Sequence, residues 1–243
     1  MPARLAFVLL LVPYFGLASA RVRERLARPV PPSRNLLVDA LIVLALWLPV
    51  ELDLLPRVPL VLASGVTVPA TKLFALDLAL IVFLLLRPLP GIGYALALRG
   101  DEVRRALLAF AAFAAAAIPL ALAIGFASYR GASFDAVRGV VLLLGIFFFI
   151  ALPEELLFRG LIQNLIEKQW GRSAATLVAA VVVFGAAHLN NVSAGHGVPN
   201  VPYMLMASLA GLAYGWVWRS TGKITAAAIT HTLVDWLWVT AFR

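Results

Sequence analysis

The sequence contains no cysteine. No disulfide, thiolate nucleophile or cysteine-ligated metal is therefore available to it. Charge is also scarce: 13% of the 243 residues are charged, where an ordinary soluble domain has about 25%. Negative charge is scarcer still, with 12 Asp and Glu against 20 Lys and Arg, and there are three histidines. With so few acids, each one that falls inside an apolar run stands out. The net charge of +8 is not read as a nucleic-acid footprint. The basic residues, nearly all arginine, cluster between apolar runs, where membrane orientation signals belong. What fills the sequence is hydrocarbon: 63% hydrophobic residues and a mean hydropathy of +0.96.

That composition predicts an all-α, polytopic transmembrane helix bundle. Eight segments approach the ~20 residues needed to cross a bilayer: 5–20, 35–52, 72–86, 106–127, 139–169, 174–192, 201–219 and 224–241. On this count Arg21, Arg23, Arg25, Arg28, Arg34, Arg87, Arg99, Arg104, Arg105, Arg159, Lys168, Arg172, Arg219 and Lys223 share the cytoplasmic side, with Arg159 placed there or within the membrane. Arg4, Arg57, Lys72, Arg130, Arg138 and Arg243 face outward. The asymmetry predicts both termini outside. The first segment has a second reading, because Arg4, an apolar run and Ala18-Ser19-Ala20 resemble a signal peptide with a small-residue cleavage site. Pro29 to Pro32 form a stiff linker, and residues 190–200 a polar loop. The expected organisation is one integrated membrane domain, with N-terminal helices in 1–138 and the chemistry in 139–243. Heavy Ala, Leu, Arg and Pro usage points to a bacterial source, and so to the inner membrane.

The polar groups of the second part carry the functional signal. Glu154 and Glu155 follow the apolar run Leu142–Pro153. A charge near the bilayer centre costs roughly 2.5–3.5 kcal/mol, so a carboxylate kept there is expected to be used. Glu155 and Arg159 are four residues apart and pair on one helical face. Glu154 points ~100° away and is free to act as a base. His188 ends Phe184-Gly185-Ala186-Ala187-His188, and His231 and Asp235 are again four apart. At ~1.5 Å per residue, Glu154 and His188 stand ~24 and ~22 Å above the turn at Trp170–Ser173. His231 and Asp235 stand ~11 and ~17 Å above Ile224. The groups can meet in one layer.

Glu-Glu-x-x-x-Arg, Phe-x-x-x-His and His-x-x-x-Asp, in that order across residues 154–235, resemble the three motifs of the CPBP family of intramembrane proteases. That family includes CAAX prenyl endopeptidases of the Ras-converting type and bacterial Abi proteins. The N-terminal half is compatible with its eight-helix architecture. The resemblance implies hydrolysis of a peptide bond in a membrane-associated or lipidated protein or peptide. It assigns water activation to Glu154 and His188, oxyanion stabilisation to His231 and position 235, and support to Glu155 and Arg159. The family often has Asn at that last position. Asp235 must then be protonated, orient His231, or bind something positive. No cofactor is expected. The alternative is zinc held by Glu154, His188, His231 and Asp235, whose ligand types suit it.

Plainer roles stand beside these. Glu154 suits a helix cap after Pro153. His188 suits a core histidine bonded to a backbone carbonyl. Asp39 and Asp77 are isolated acids in expected spans, and His196, Asn190 and Asn191 suit a solvated loop. Trp216, Trp218, Trp236 and Trp238 suit interfaces and packing. The rival functions are a non-catalytic membrane partner, such as a bacteriocin-immunity or scaffold protein, and a proton-coupled transporter. Paired broken helices from two repeated halves, which would favour transport, are missing from the sequence.

Overall fold

The computed structural model describes residues 3–29, 35–56, 59–63, 66–129, 131, 136–193 and 195–242. Arg34, Arg57, Arg130, Arg243 and part of the Pro29–Pro32 linker lie outside the described residues. The chain divides into two compact units, Met1–Leu96 and Ala97–Arg243. The division falls well before the expected 138/139 boundary.

The first unit holds α1 (Ala3–Gly16), α2 (Ala20–Leu26), α3 (Leu36–Glu51) and α4 (Ala70–Ile81), the last continuing as a π-helical turn, Val82–Leu86. A short antiparallel hairpin, β1 (Pro59–Ala63) and β2 (Val66–Pro69), precedes α4. It is an exception to the expected all-α class. Asn35 caps α3 by accepting from the backbone of Leu37 and Val38. Asp39, in the first turn of α3, accepts from Arg87 Nε at 3.0 Å. Arg23 donates to the carbonyls of Leu17 and Tyr94, and the Tyr94 hydroxyl to the carbonyl of Tyr14. Asp77 is buried, and its Oδ2 has no hydrogen-bond partner.

The second unit consists of α5 (Gly100–Ala123), α6 (Ala136–Trp170), α7 (Ala174–Ala186), α8 (Val201–Thr221) and α9 (Ile224–Ala241). Glu102 fixes two helix starts at once. Its carboxylate accepts from the Arg99 backbone at 2.7 Å and from Lys223 Nζ, at the start of α9, at 2.9 Å. Ser173 and Thr176 cap α7 reciprocally, Asn200 caps α8, and Gly222 at φ +69° ends it. Alanines 226–228 on α9 and Ala106 on α5 are fully buried, and Thr230 Oγ1 donates to the Ala106 carbonyl. Small residues of this kind let backbones approach closely.

Each of the eight expected segments contains a helix, although those expected at 5–20, 106–127 and 174–192 end early, at Gly16, Ala123 and Ala186. Among the described residues, α5 and α6 are long and apolar enough to cross a membrane, and α7 is a shorter apolar helix. In α8 and α9, small and polar residues dilute the hydrocarbon. α6 is not a plain α-helix: Phe147–Ala151 and Leu156–Gln163 are π-helical. Pro153 has no N–H and its ring crowds the carbonyl one turn back, and a wider π turn just before it relieves that crowding. Depths counted at α-helical rise along α6 are therefore overestimates.

Candidate active site

Three helices deliver the charged groups. Glu154, Glu155 and Arg159 come from α6, His231 and Asp235 from α9, and His188 from the turn just beyond α7. That turn replaces the helical extension to residue 192 expected from the sequence. There His188 N bonds the carbonyl of Gly185, three residues back, which tightens the end of the helix. Gly185 lies against α8 so closely that a Cβ would come within 2.8 Å of the Met204 carbonyl.

His231 is at the centre and is 4% exposed. Its Nδ1 lies 2.9 Å from Glu155 Oε1. An ionised carboxylate can only accept, so Nδ1 carries the hydrogen. Nε2 then faces Asp235 Oδ2 at 3.4 Å and Glu154 Oε2 at 3.9 Å. Glu155 is fully buried and also faces Arg159 Nε at 3.3 Å. That contact is an ion pair without hydrogen-bond alignment. The Arg159 guanidinium lies 4.4 Å from the centre of the Phe184 ring and donates to the Gly211 carbonyl at 3.4 Å. The buried pair is therefore held by a π face and a carbonyl as well as by opposite charge.

His188 makes the backbone bond of a core histidine, Nδ1 to the Phe184 carbonyl at 2.8 Å. A donating Nδ1 leaves a lone pair on Nε2. His188 also lines, with His231 and Asp235, a cavity of about 270 Å³ whose other walls include Ile146, Ile150, Phe184, Tyr203, Tyr214 and Trp238. Glu154 does not line this cavity and meets the cluster at His231. Its side chain is 31% exposed and Asp235's 32%, against 0% for Glu155.

Sequence reasoning missed the aromatic walls. Tyr214 stacks on His231 with ring centres 4.5 Å apart and planes 13° from parallel. Tyr203 lies 5.2 Å from His188. Tyr203, Ala207, Ala210 and Tyr214 recur at helical spacing on α8, a signal present in the sequence. Trp238, expected only to pack, is a cavity wall. His196 lies 6.1 Å from Phe126, itself a cavity wall. The Asn191 carbonyl accepts from buried Asn200, which organises the loop. Among the described residues no group of three or more His, Asp or Glu side chains is arranged to hold a metal ion.

A buried acid–imidazole cluster thus lies beside a mostly apolar cavity, in a unit that includes two helices long and apolar enough to cross a membrane. Residues 136–237 match the Rce1-like family model, type II CAAX prenyl endopeptidase Rce1-like. The match spans every motif residue from Glu154 to Asp235, so the chain is similar to that family over this stretch. With the two apolar helices this similarity supports an integral membrane protein. No curated protein and no solved structure matches the chain.

Proposed function

We propose that this protein is an intramembrane endopeptidase in which Glu154 activates a water for attack on a peptide bond. The observation that carries the reading is the placement of His231. Its Nδ1 is held by buried Glu155, and its Nε2 points to Glu154 and Asp235 beside the cavity. Glu154, half-buried and without an arginine partner of its own among the described residues, takes a proton from water. His188 accepts the second water hydrogen at Nε2 and aims the oxygen. The C–O bond forms and the carbonyl electrons move onto oxygen. His231 Nε2–H then binds the oxyanion, which requires the doubly protonated ring. Glu155 and Asp235 supply the compensating charge, since Glu154 is protonated at this stage. Glu154 then passes its proton to the amide nitrogen as the C–N bond breaks.

Donors fixed in a dry site stabilise such charge better than water does. Asp235 orients His231 in this scheme and gives way to the oxyanion. A cavity of about 270 Å³ is at the small end of ligand sites, which run ~300–1,000 Å³. It suits a short extended piece of a membrane-associated or lipidated protein. The eight-span topology with both ends outside, in a bacterial inner membrane, completes the proposal. The test is cleavage of a lipidated reporter peptide by the full chain in lipid vesicles. Glu154→Gln and His188→Ala are expected to insert normally and to lose activity; activity retained in both removes the mechanism.

A further inference from the structure

α6 carries Glu155, Arg159, Gln163 and Glu167 at steps of four. Their side chains are 0%, 2%, 0% and 10% exposed. On an α-helix four residues overshoot a full turn by roughly 40°, so three steps would carry such a row a third of the way round. The π-helical stretch Leu156–Gln163 winds less per residue and offsets the drift. The lower end of the row reaches an exposed rim. Gln163 Nε2 donates to Glu167 Oε1 at 2.7 Å, Arg219 Nε donates to the same oxygen at 2.7 Å, and the Arg172 side chain nearby is 56% exposed. The upper end is Glu155 on His231. Opposite stand Gly211 and Gly215 of α8. A Cβ on Gly215 would come within 3.0 Å of Gln163 Oε1, and one on Gly211 within 3.6 Å of Arg159 Nη2.

Three polar atoms along this row are buried and lack a hydrogen-bond partner: Glu155 Oε2, Arg159 Nε and Gln163 Oε1. One donor and two acceptors are thus left along the row, each able to bond a water molecule. The cavity beyond His231 is walled mainly by aliphatic and aromatic side chains, a poor route for water.

We propose that water binds among Glu155 Oε2, Arg159 Nε and Gln163 Oε1, and that the row from Glu167 to Glu155 hydrates the acid–imidazole cluster from the exposed rim. Its purpose rests on the hydrolase reading, since each peptide bond cleaved consumes one water. The fixed charge of Arg159 lets water pass and opposes protons.

Radiolytic hydroxyl labelling of the full chain in lipid nanodiscs, read by mass spectrometry, tests this. Leu177 Cδ1 and Gln163 Oε1 both lie against Gly215, which makes Leu177 the neighbour of the row, whereas Val178 at the same depth is 51% exposed outward. Leu177 is expected to label faster than Val178, and its rate to fall about threefold or more in Gln163→Leu, which removes the acceptor that holds the water. A wild-type Leu177 no faster than Val178 overturns the proposal, and so does an equal rate in the variant. The wild-type comparison decides even if the variant fails to insert. No substrate is needed. A wet row in a protein that cleaves nothing therefore removes the hydrolase reading and keeps the water site, and a dry row in an active protease does the reverse.

Discussion

In the unit Met1–Leu96, two acids are buried among apolar helices. Asp39 is answered by Arg87 at 3.0 Å, and Asp77 is surrounded without a hydrogen bond to its Oδ2. In the unit Ala97–Arg243, Glu155 is buried just as deeply but is shared between Arg159 and His231. Two further carboxyl groups, Glu154 and Asp235, reach the same imidazole while staying partly exposed. All three histidines fall in this second unit. A buried acid is therefore not in itself a sign of chemistry. The distinguishing feature is convergence: one imidazole with both nitrogens engaged, beside a cavity.

The comparison breaks most clearly at Glu154. Glu154→Gln keeps size and shape and removes the base, so cleavage of a lipidated reporter is expected to fall by about 10²–10⁴, the usual worth of general acid–base catalysis. The matching change in the first unit, Asp77→Asn, is expected to leave the rate within a factor of about two, since Asp77 plays no part in the acid–base scheme. Equal losses in both would mean that the units are not functionally distinct.

Arg159 gives the next largest effect, on stability. Arg159→Leu leaves Glu155 buried without its cation. Breaking a buried pair in this way costs about 3–5 kcal/mol, to be read as a lower unfolding midpoint in detergent. Arg87→Leu is the parallel change in the first unit. The Arg87 side chain is 32% exposed, and a smaller loss of about 1–2 kcal/mol is expected there. If the two losses came out equal, the brace around His231 would be no tighter than an ordinary interhelical pair.

Packing contributes less. Gly215→Ala would bring a Cβ to 2.7 Å from Leu177 Cδ1 and 3.0 Å from Gln163 Oε1. Overpacking of this kind costs about 1–3 kcal/mol. Gly125→Ala has open space around it, and its cost comes instead from φ +69°, about 1 kcal/mol. A lower unfolding midpoint for the Gly215 variant than for the Gly125 variant would establish that α8 approaches α6 closely through its glycines.

The sequence made some of this legible and hid the rest for identifiable reasons. The four-residue spacings of Glu155 with Arg159 and of His231 with Asp235 survive folding, because neighbours on a helix face stay neighbours. The neighbour relation of Phe184 and His188 also survives, although His188 leaves the helix. The π turns were hidden, since they answer a backbone problem at Pro153 that leaves no periodic trace. Tyr214 was hidden because its partner is on another helix. Gln163 was hidden for a different reason: a glutamine in a helix carries no signal until its oxygen is found buried and unpartnered. The boundary at Leu96 was hidden too. α5 joins the second unit through buried alanines such as Ala106 and Ala117, residues whose small size says nothing about which neighbour they will touch.

Asp77 yields the smallest effect. Its Oδ2 is shut away from water with no hydrogen bond in return, and a buried carboxylate without such compensation costs more than it gives. Asp77→Leu is therefore expected to leave the unfolding midpoint unchanged or to raise it slightly, where Glu155→Leu, which strands both Arg159 and His231, lowers it. Should Asp77→Leu unfold the protein as readily as Glu155→Leu, Asp77 would be doing something that its surroundings do not explain. The contrast between a solitary acid and a convergent one would then need another basis.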